Sequence, residues 1–343
     1  MLRTAQLCLA AIAATLLVNS ATVRAEDYPE LKFRFATGFP QALYMTEPNE
    51  YFARELKARS NGKIVVRTFY GGALGKSNEI FDLVSKGAID MGSVVQGYVT
   101  SSLPFAAMAN SLPMTFFDGE AAMRAAMALE ETNPDQKAEF EKANIKPLIH
   151  RYLPNYKLIC TKPVRTVEDL KGLKIRTFGS YMPIMFSALE VTPVNVLPTD
   201  MYEALKRGSM DCSYLTNANF IAYKLHEVAK YIIDVKFGGI NAYYLAINLD
   251  RWNGLPENVQ KLMLEVGKEA TEFGVQDTIR AEKEALETMV AQGAEVIKFE
   301  EQEKLQAAVP DMIEIWISEM AKLGKETEAR RYASEIKALL KMN

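Results

Sequence analysis

The sequence predicts an α/β protein built as two lobes, with a cleft between them and one long helix bracing both. Three observations carry that expectation. Residues 167–215 alternate strand, helix, strand, helix, strand in under fifty residues, a rhythm that needs parallel strands and crossover helices. Two segments far apart share one pattern: EIFDLVSKGAIDMG at 79–92 and DMYEALKRGSMDCS at 200–213. Each opens on an acid, has an aromatic third, and ends basic–Gly–small–apolar–Asp in the same register, so two similar units are expected. Residues 257–292 carry apolar side chains at helical spacing with no proline, long enough to run across both units, with Gly267 and Gly274 as the only weak points.

The elements follow in order. LKFRFA at 31–36 alternates as a strand, and the loop 37–40 leaves its carboxyl end. Residues 50–58 form an amphipathic helix closed by Ser60-Asn61-Gly62, and KIVVRTF at 63–69 is the second strand. GGALGKS at 71–77 has Tyr70 where a nucleotide-binding loop needs its first glycine, so it is a loop feeding a helix at 78–86. Residues 89–95 are a strand leading into Gln96-Gly97-Tyr98. The apolar stretch 105–117 wraps the first lobe, and 119–143 is helical with a break at Asn133-Pro134. Residues 146–153 and 157–161 are extended, with the chain crossing between lobes near 153–156.

The central stretch opens with a helical turn at 169–172. Strands follow at 173–178, 191–197 and 210–215, with helices at 183–189 and from Thr199 or Asp200 to Gly208. Residues 220–228 are helical, 231–235 a strand, Gly238-Gly239 a hinge, and 243–248 a strand returning to the first lobe. A short strand at 295–299 and helices over 309–340, packed on the outside, complete the chain.

Composition narrows the function classes. Residues 1–25 read as a signal peptide: Arg3, an apolar run at 7–18, then Val23-Arg24-Ala25 as the cleavage region. The rest should be exported, with cleavage near Ala25. The full chain has 40 basic and 43 acidic residues, net −3, and loss of Arg3 and Arg24 makes it more acidic. A mildly acidic chain without a basic run is a poor nucleic-acid binder. After cleavage two cysteines remain, Cys160 and Cys212, which in an oxidising compartment either pair or stay as two buried thiols.

Several chemistries are missing. Only His150 and His226 are present, too few and too far apart for a metal set. Cys212 with His226 lacks any known nucleophile motif, and no G-x-S-x-G or G-x-G-x-x-G occurs. Asp90 and Asp211 occupy matching places in the repeat, which points to structural capping. Arg176 is the sharpest binding candidate, because it interrupts an apolar strand near its carboxyl end, where open α/β sheets bind ligands. Its planar fork suits a carboxylate. Aromatics crowd the other predicted strand ends: Phe39, Tyr98, Tyr156, Phe178, Tyr214 and Tyr243. With one arginine they suit a mostly apolar pocket for a small organic anion.

TKPVRTVEDLKGLKIRTFGSYMPIMFSALEVTPVNVLPTDMYEALKRGSMDC, residues 161–212, resembles the solute-binding proteins of TRAP transporters, of the DctP type. YGGALGKSNEIFDLVSKGAIDMGSVVQGY from Tyr70, EVAKYI from Glu227 and WNGLPENVQ from Trp252 extend the resemblance over nearly the whole exported chain. It implies a two-lobed periplasmic binding protein, not an enzyme, with no cofactor and no metal. Lobe I is expected from 26–153 and 242–281, lobe II from 154–241 and 282–343. It implies a monomer in the periplasm that closes on its ligand. Delivery would be to a permease with a small and a large membrane subunit, driven by an ion gradient.

Arg176 falls on the family's carboxylate-binding arginine. Tyr156 stands where many members carry a second arginine, and Leu215 where many carry an asparagine. Those departures favour a smaller or more apolar monocarboxylate, such as a hydroxy, keto or aromatic acid. Asn217, Gln96 and Tyr214 would supply its remaining hydrogen bonds. The alternatives are an exported enzyme acting on small acids in the same cleft, or a receptor that presents its ligand to a sensor.

Overall fold

The computed structural model describes residues 27–342; the leader expected at 1–25 lies outside them. Eleven strands form two sheets among the described residues. The first sheet holds β1 (Leu31–Ala36), β2 (Ile64–Phe69), β3 (Met91–Val94), β4 (Ile145–Leu153) and β10 (Ile240–Asn248), in the order β2-β1-β3-β10-β4. The second holds β5 (Lys157–Cys160), β6 (Lys174–Thr177), β7 (Thr192–Asn195), β8 (Cys212–Leu215), β9 (Tyr231–Asp234) and β11 (Glu295–Lys298), in the order β11-β9-β5-β8-β6-β7. In each sheet a parallel trio is joined by helices: β1 beside β2 and β3, and β6 beside β7 and β8.

The repeat read from the sequence has a physical counterpart. The helices Ile80–Ser85 and Met201–Lys206 are each followed by a glycine in the left-handed region, Gly87 at φ 69° and Gly208 at φ 67°. Each then reaches an aspartate that latches the loop to the neighbouring strand. Asp90 accepts from the Arg34 backbone N–H at 2.7 Å, and Asp211 from that of Lys174 at 2.8 Å. Arg34 and Lys174 in turn donate from their side chains to the carbonyls of Ala88 and Gly208. Both aspartates thus satisfy backbone donors, as their matched positions suggested.

The chain passes between sheets from β4 to β5, from β9 to β10, and along the helix Glu257–Ala291 into β11. The first two crossings bond to each other, the Tyr156 N–H donating to Gly238 O and the Phe237 N–H to Tyr156 O. Gly238 and Gly239 are there for close approach: a Cβ on either would lie 2.7 Å or less from the backbone of Phe116 or Gly119.

The 35-residue helix braces both lobes, and its glycines are seats for packing where the sequence suggested weak points. At Gly267 an added Cβ would lie 2.4 Å from the Leu148 carbonyl oxygen of β4, and at Gly274 it would meet the Arg151 guanidinium. Thr271, between them, accepts from the His150 N–H at 3.1 Å. Farther along, Glu282 accepts from the backbone N–H groups of Asn217 and Ala218, anchoring the helix Asn217–Ala222 of the other lobe.

Two expectations are corrected. The helix expected over 220–228 ends early, because Lys224 turns into the left-handed region at φ 56° and a short 3-10 turn, Leu225–Glu227, follows. The C-terminal helices Met312–Lys322 and Glu326–Leu340, expected with lobe II, pack on elements expected in lobe I. Trp316 and Tyr332 contact the Phe105 ring at centroid distances of 6.0 and 5.5 Å, and the Trp316 indole N–H donates to Pro104 O. These helices bury the apolar stretch around Phe105 in one cluster with Trp316, Met320 and Tyr332.

Cys160 and Cys212 face each other in the β5–β8 register and are joined by a disulfide spanning 52 residues. Cys212 is therefore not a free nucleophile.

Two outcomes follow from this packing. Gly267→Ala should lower stability by more than about 2 kcal/mol, despite alanine's helix preference of roughly 1 kcal/mol, because the added methyl meets backbone. Thermal unfolding checks it; a rise in Tm would show that the helix can lift off β4. The Cys160→Ser/Cys212→Ser double variant should lose up to about 4 kcal/mol, the chain-entropy value for a loop this long. Denaturant melts with and without reductant give the measurement, and a reductant-insensitive wild type would contradict it.

Candidate functional site

The carboxyl ends of the parallel strands from both sheets converge on one cavity of about 40 Å³. Phe39 follows the end of β1, Val95 and Tyr98 the end of β3, Phe178 the end of β6, and Leu215 ends β8. Tyr156 comes from the β4–β5 crossing, and Asn219 and Tyr223 from the helix after β8. Outside lies an open polar cleft of about 610 Å³, and Tyr98 lines both spaces. At the mouth the lobes touch. Thr100 Oγ1 and Ser180 Oγ are 3.1 Å apart, and a Cβ on Gly179 would lie 2.8 Å from the Gly97 carbonyl oxygen.

Arg176 reaches the cavity from β6 and is 1% exposed. Its Nε donates to Val196 O and its Nη1 to Tyr214 O, both at 3.1 Å. These two bonds fix the guanidinium plane, which stands over the Phe178 ring at 4.8 Å. Among the described residues no carboxylate pairs with it. Burying a cation without a counter-charge is costly, and carbonyl dipoles offset only part of the cost.

Tyrosines complete the surroundings. Burial pushes the hydroxyls of Tyr98, Tyr156, Tyr214 and Tyr223 above the usual phenol range, while the positive charge of Arg176 pulls each back. At neutral pH they are donors beside a fixed cation. None of the residues lining the cavity is Asp, Glu, His, Cys, Ser or Lys.

Five of the residues singled out in the sequence meet at this wall: Arg176, Phe39, Tyr98, Tyr156 and Phe178. Four stand behind it. Tyr214 stacks on Tyr156 at 4.5 Å and supports the site through its carbonyl. Tyr243 packs on Phe39 at 5.1 Å and donates its hydroxyl to Met45 O. Asn217 begins a helix and gives its N–H to Glu282. Gln96 is wholly buried beside Tyr244. The sequence reading missed Asn110, Asn219 and Tyr223. The last two sit one helical turn apart after β8, a spacing that could have shown them sharing a face. Asn110 lies in an apolar stretch whose path no local pattern reveals.

The profile of DctP, bacterial extracellular solute-binding protein family 7, matches residues 35–322. A monocarboxylate 2-oxoacid-binding periplasmic protein of Nostoc sp. is 24% identical over 84% of this chain and 79% of its own. A TRAP periplasmic solute-binding protein from Sulfitobacter sp., solved with β-D-galacturonate, superposes with a TM-score of 0.78 at 19% identity, covering 90% of this chain and 98% of its own. A Bordetella pertussis extracytoplasmic solute receptor binding pyroglutamic acid superposes at 0.77 with 20% identity, covering 90% and 99%.

Proposed function

Because the chain belongs to the DctP family of TRAP solute-binding proteins, we propose that it binds one small organic acid, a monocarboxylate, through Arg176 and delivers it to a membrane permease. One observation carries this reading: a buried, immobilised guanidinium without a carboxylate partner, in a cavity where the two lobes meet. A ligand carboxylate supplies the missing charge, and exclusion of water strengthens the pair. The single cation and the aromatic lining favour one carboxylate over two. Arg176, Phe39, Tyr98, Tyr156 and Phe178 form the wall, and Tyr214, Tyr243, Asn217 and Gln96 support it from behind. The named ligands of the relatives, a uronate, pyroglutamic acid and 2-oxoacids, are consistent with this class.

In this reading the protein works in the periplasm, as the names of its relatives indicate, with a small and a large permease subunit as partners. No described helix is long and apolar enough to cross a membrane. The enzyme alternative is disfavoured, because the lining offers tyrosines and one arginine but no group that titrates near neutrality to serve as acid or base.

Arg176→Ala should weaken binding of the cognate acid at least about a hundredfold, since breaking a buried pair costs roughly 3–5 kcal/mol. Stability without ligand should not fall, since an unpaired buried charge is removed. Calorimetry and thermal melts separate the two effects; unchanged affinity with a lower Tm would make Arg176 structural. The lining tyrosines hold their protons above the usual phenol range. Affinity should therefore stay flat from roughly pH 5.5 to 9 and decline only as the ligand carboxylate takes up a proton near pH 4. A midpoint inside the flat range would reveal another titrating group in contact with the ligand.

A further inference from the structure

One residue of the cavity wall carries an atom with a defined and unmet requirement. Asn110, in the short helix Met108–Ser111, is 0% exposed and lines the same cavity as Arg176. Its Nδ2 donates twice, to Asn241 O at 2.8 Å and to Ala242 O at 2.7 Å on β10. Those two bonds fix which way the amide faces. A flipped amide would set its oxygen against two carbonyl oxygens, so Oδ1 must point away from β10. There Oδ1 is buried without a hydrogen-bond partner. Gly97 makes the space for it: a Cβ at that position would lie 2.2 Å from Oδ1 and 3.1 Å from the Phe178 ring. The backbone therefore holds an acceptor beside the same aromatic ring that carries the guanidinium.

We propose that Asn110 Oδ1 accepts a hydrogen bond from an O–H or N–H group of the bound acid and so makes the site selective for hydroxy acids over the oxo acids of the same skeleton. The proposal rests on the carboxylate reading of Arg176 and adds the second half of the recognition. In a cavity of about 40 Å³ the donor must lie within a few bonds of the carboxylate. A hydroxyl there satisfies Oδ1. A keto oxygen places acceptor against acceptor and leaves both desolvated and unpaired, the arrangement by which buried polar sites reject analogues. None of the hydrogen bonds expected of Asn217, Gln96 or Tyr214 is needed for this discrimination.

The test is calorimetry on the purified, leader-free protein with matched 2-hydroxy and 2-oxo acids of three to eight carbons, together with glucuronate. The hydroxy member of the best-bound pair should bind at least tenfold more tightly than its oxo partner. In Asn110→Leu that ratio should fall to within about threefold, while dependence on the carboxylate persists. If the leucine variant does not fold, the wild-type ratio still decides. Equal affinities, or tighter binding of the oxo acid, would overturn the role of Asn110 while leaving that of Arg176 intact. Binding of none of the acids would overturn the carboxylate reading and this proposal with it. Mass spectrometry of the molecule released on denaturation is a second, independent readout: an acid with neither O–H nor N–H donor sinks the proposal.

Discussion

The cavity is organised around the burial of one guanidinium at the seam between two sheets. Arg176 is held by a carbonyl from the end of β8 and another just past β7, so its position is set by the parallel trio of its own lobe. Phe178, two residues on, supplies the ring beneath it. Tyr156 comes from the crossing segment and stacks on Tyr214, which ties the crossing to the same trio. The site is therefore rigid on one side before any ligand arrives, and rigidity of this kind reduces the entropy lost on binding.

The opposite side is built on the same plan with different content. Asp90 and Asp211 latch equivalent loops, yet the strand ends of the first lobe present Phe39, Val95 and Tyr98 in place of a cation. The duplicated frame delivers strand ends to the cleft from both directions. The side chains on them divide the work between charge on one lobe and apolar cover with a single fixed acceptor on the other.

Much of this was legible in sequence because it depends on local rules. Glycines after helices and aspartates directly after a small–apolar pair mark the repeat, and the carboxyl ends read for β1, β5 and β8 fall within a residue of those observed. The place of Arg176 at the cavity was legible because a charged side chain near the end of an apolar strand, where open α/β sheets bind ligands, stands out in the sequence. The remainder depends on contacts between distant segments. Nothing near Asn110 predicts that β10, more than a hundred residues away, will take both its amide hydrogens. Nothing near Trp316 predicts Phe105. Gly267 and Gly274 read as helix weaknesses because the reason for them lies on β4. Arg151 makes the same point in reverse: it is as buried as Arg176, but it lies between Gly274 and the Tyr44 ring and does not line the cavity. Burial is common to both arginines; only Arg176 has access to the cavity.

The distribution of contacts between lobes also bears on how the proposed closure would be driven. Behind the site, the two crossings bond to each other and Glu282 reaches from the long helix to two backbone donors. In front, the lobes meet through one hydroxyl pair, Thr100 with Ser180, through the approach of Gly179 to Gly97, through Tyr98 against Phe178 and Arg176, and through Phe39 and Val95, which are buried in the same apolar cluster as Phe178. A hydrogen bond and an aromatic edge are worth about 1 kcal/mol each. In the proposed reading, in which the lobes open and close around the ligand, these contacts set the balance between the two forms. A ligand can shift that equilibrium only by its difference in affinity for the two forms. A molecule that touched Arg176 alone would bind one lobe and hardly change the balance. One that pairs with Arg176 on one lobe and donates to Asn110 on the other gains its second contact only in the closed form, so the chemistry that selects the ligand is also what holds the lobes together.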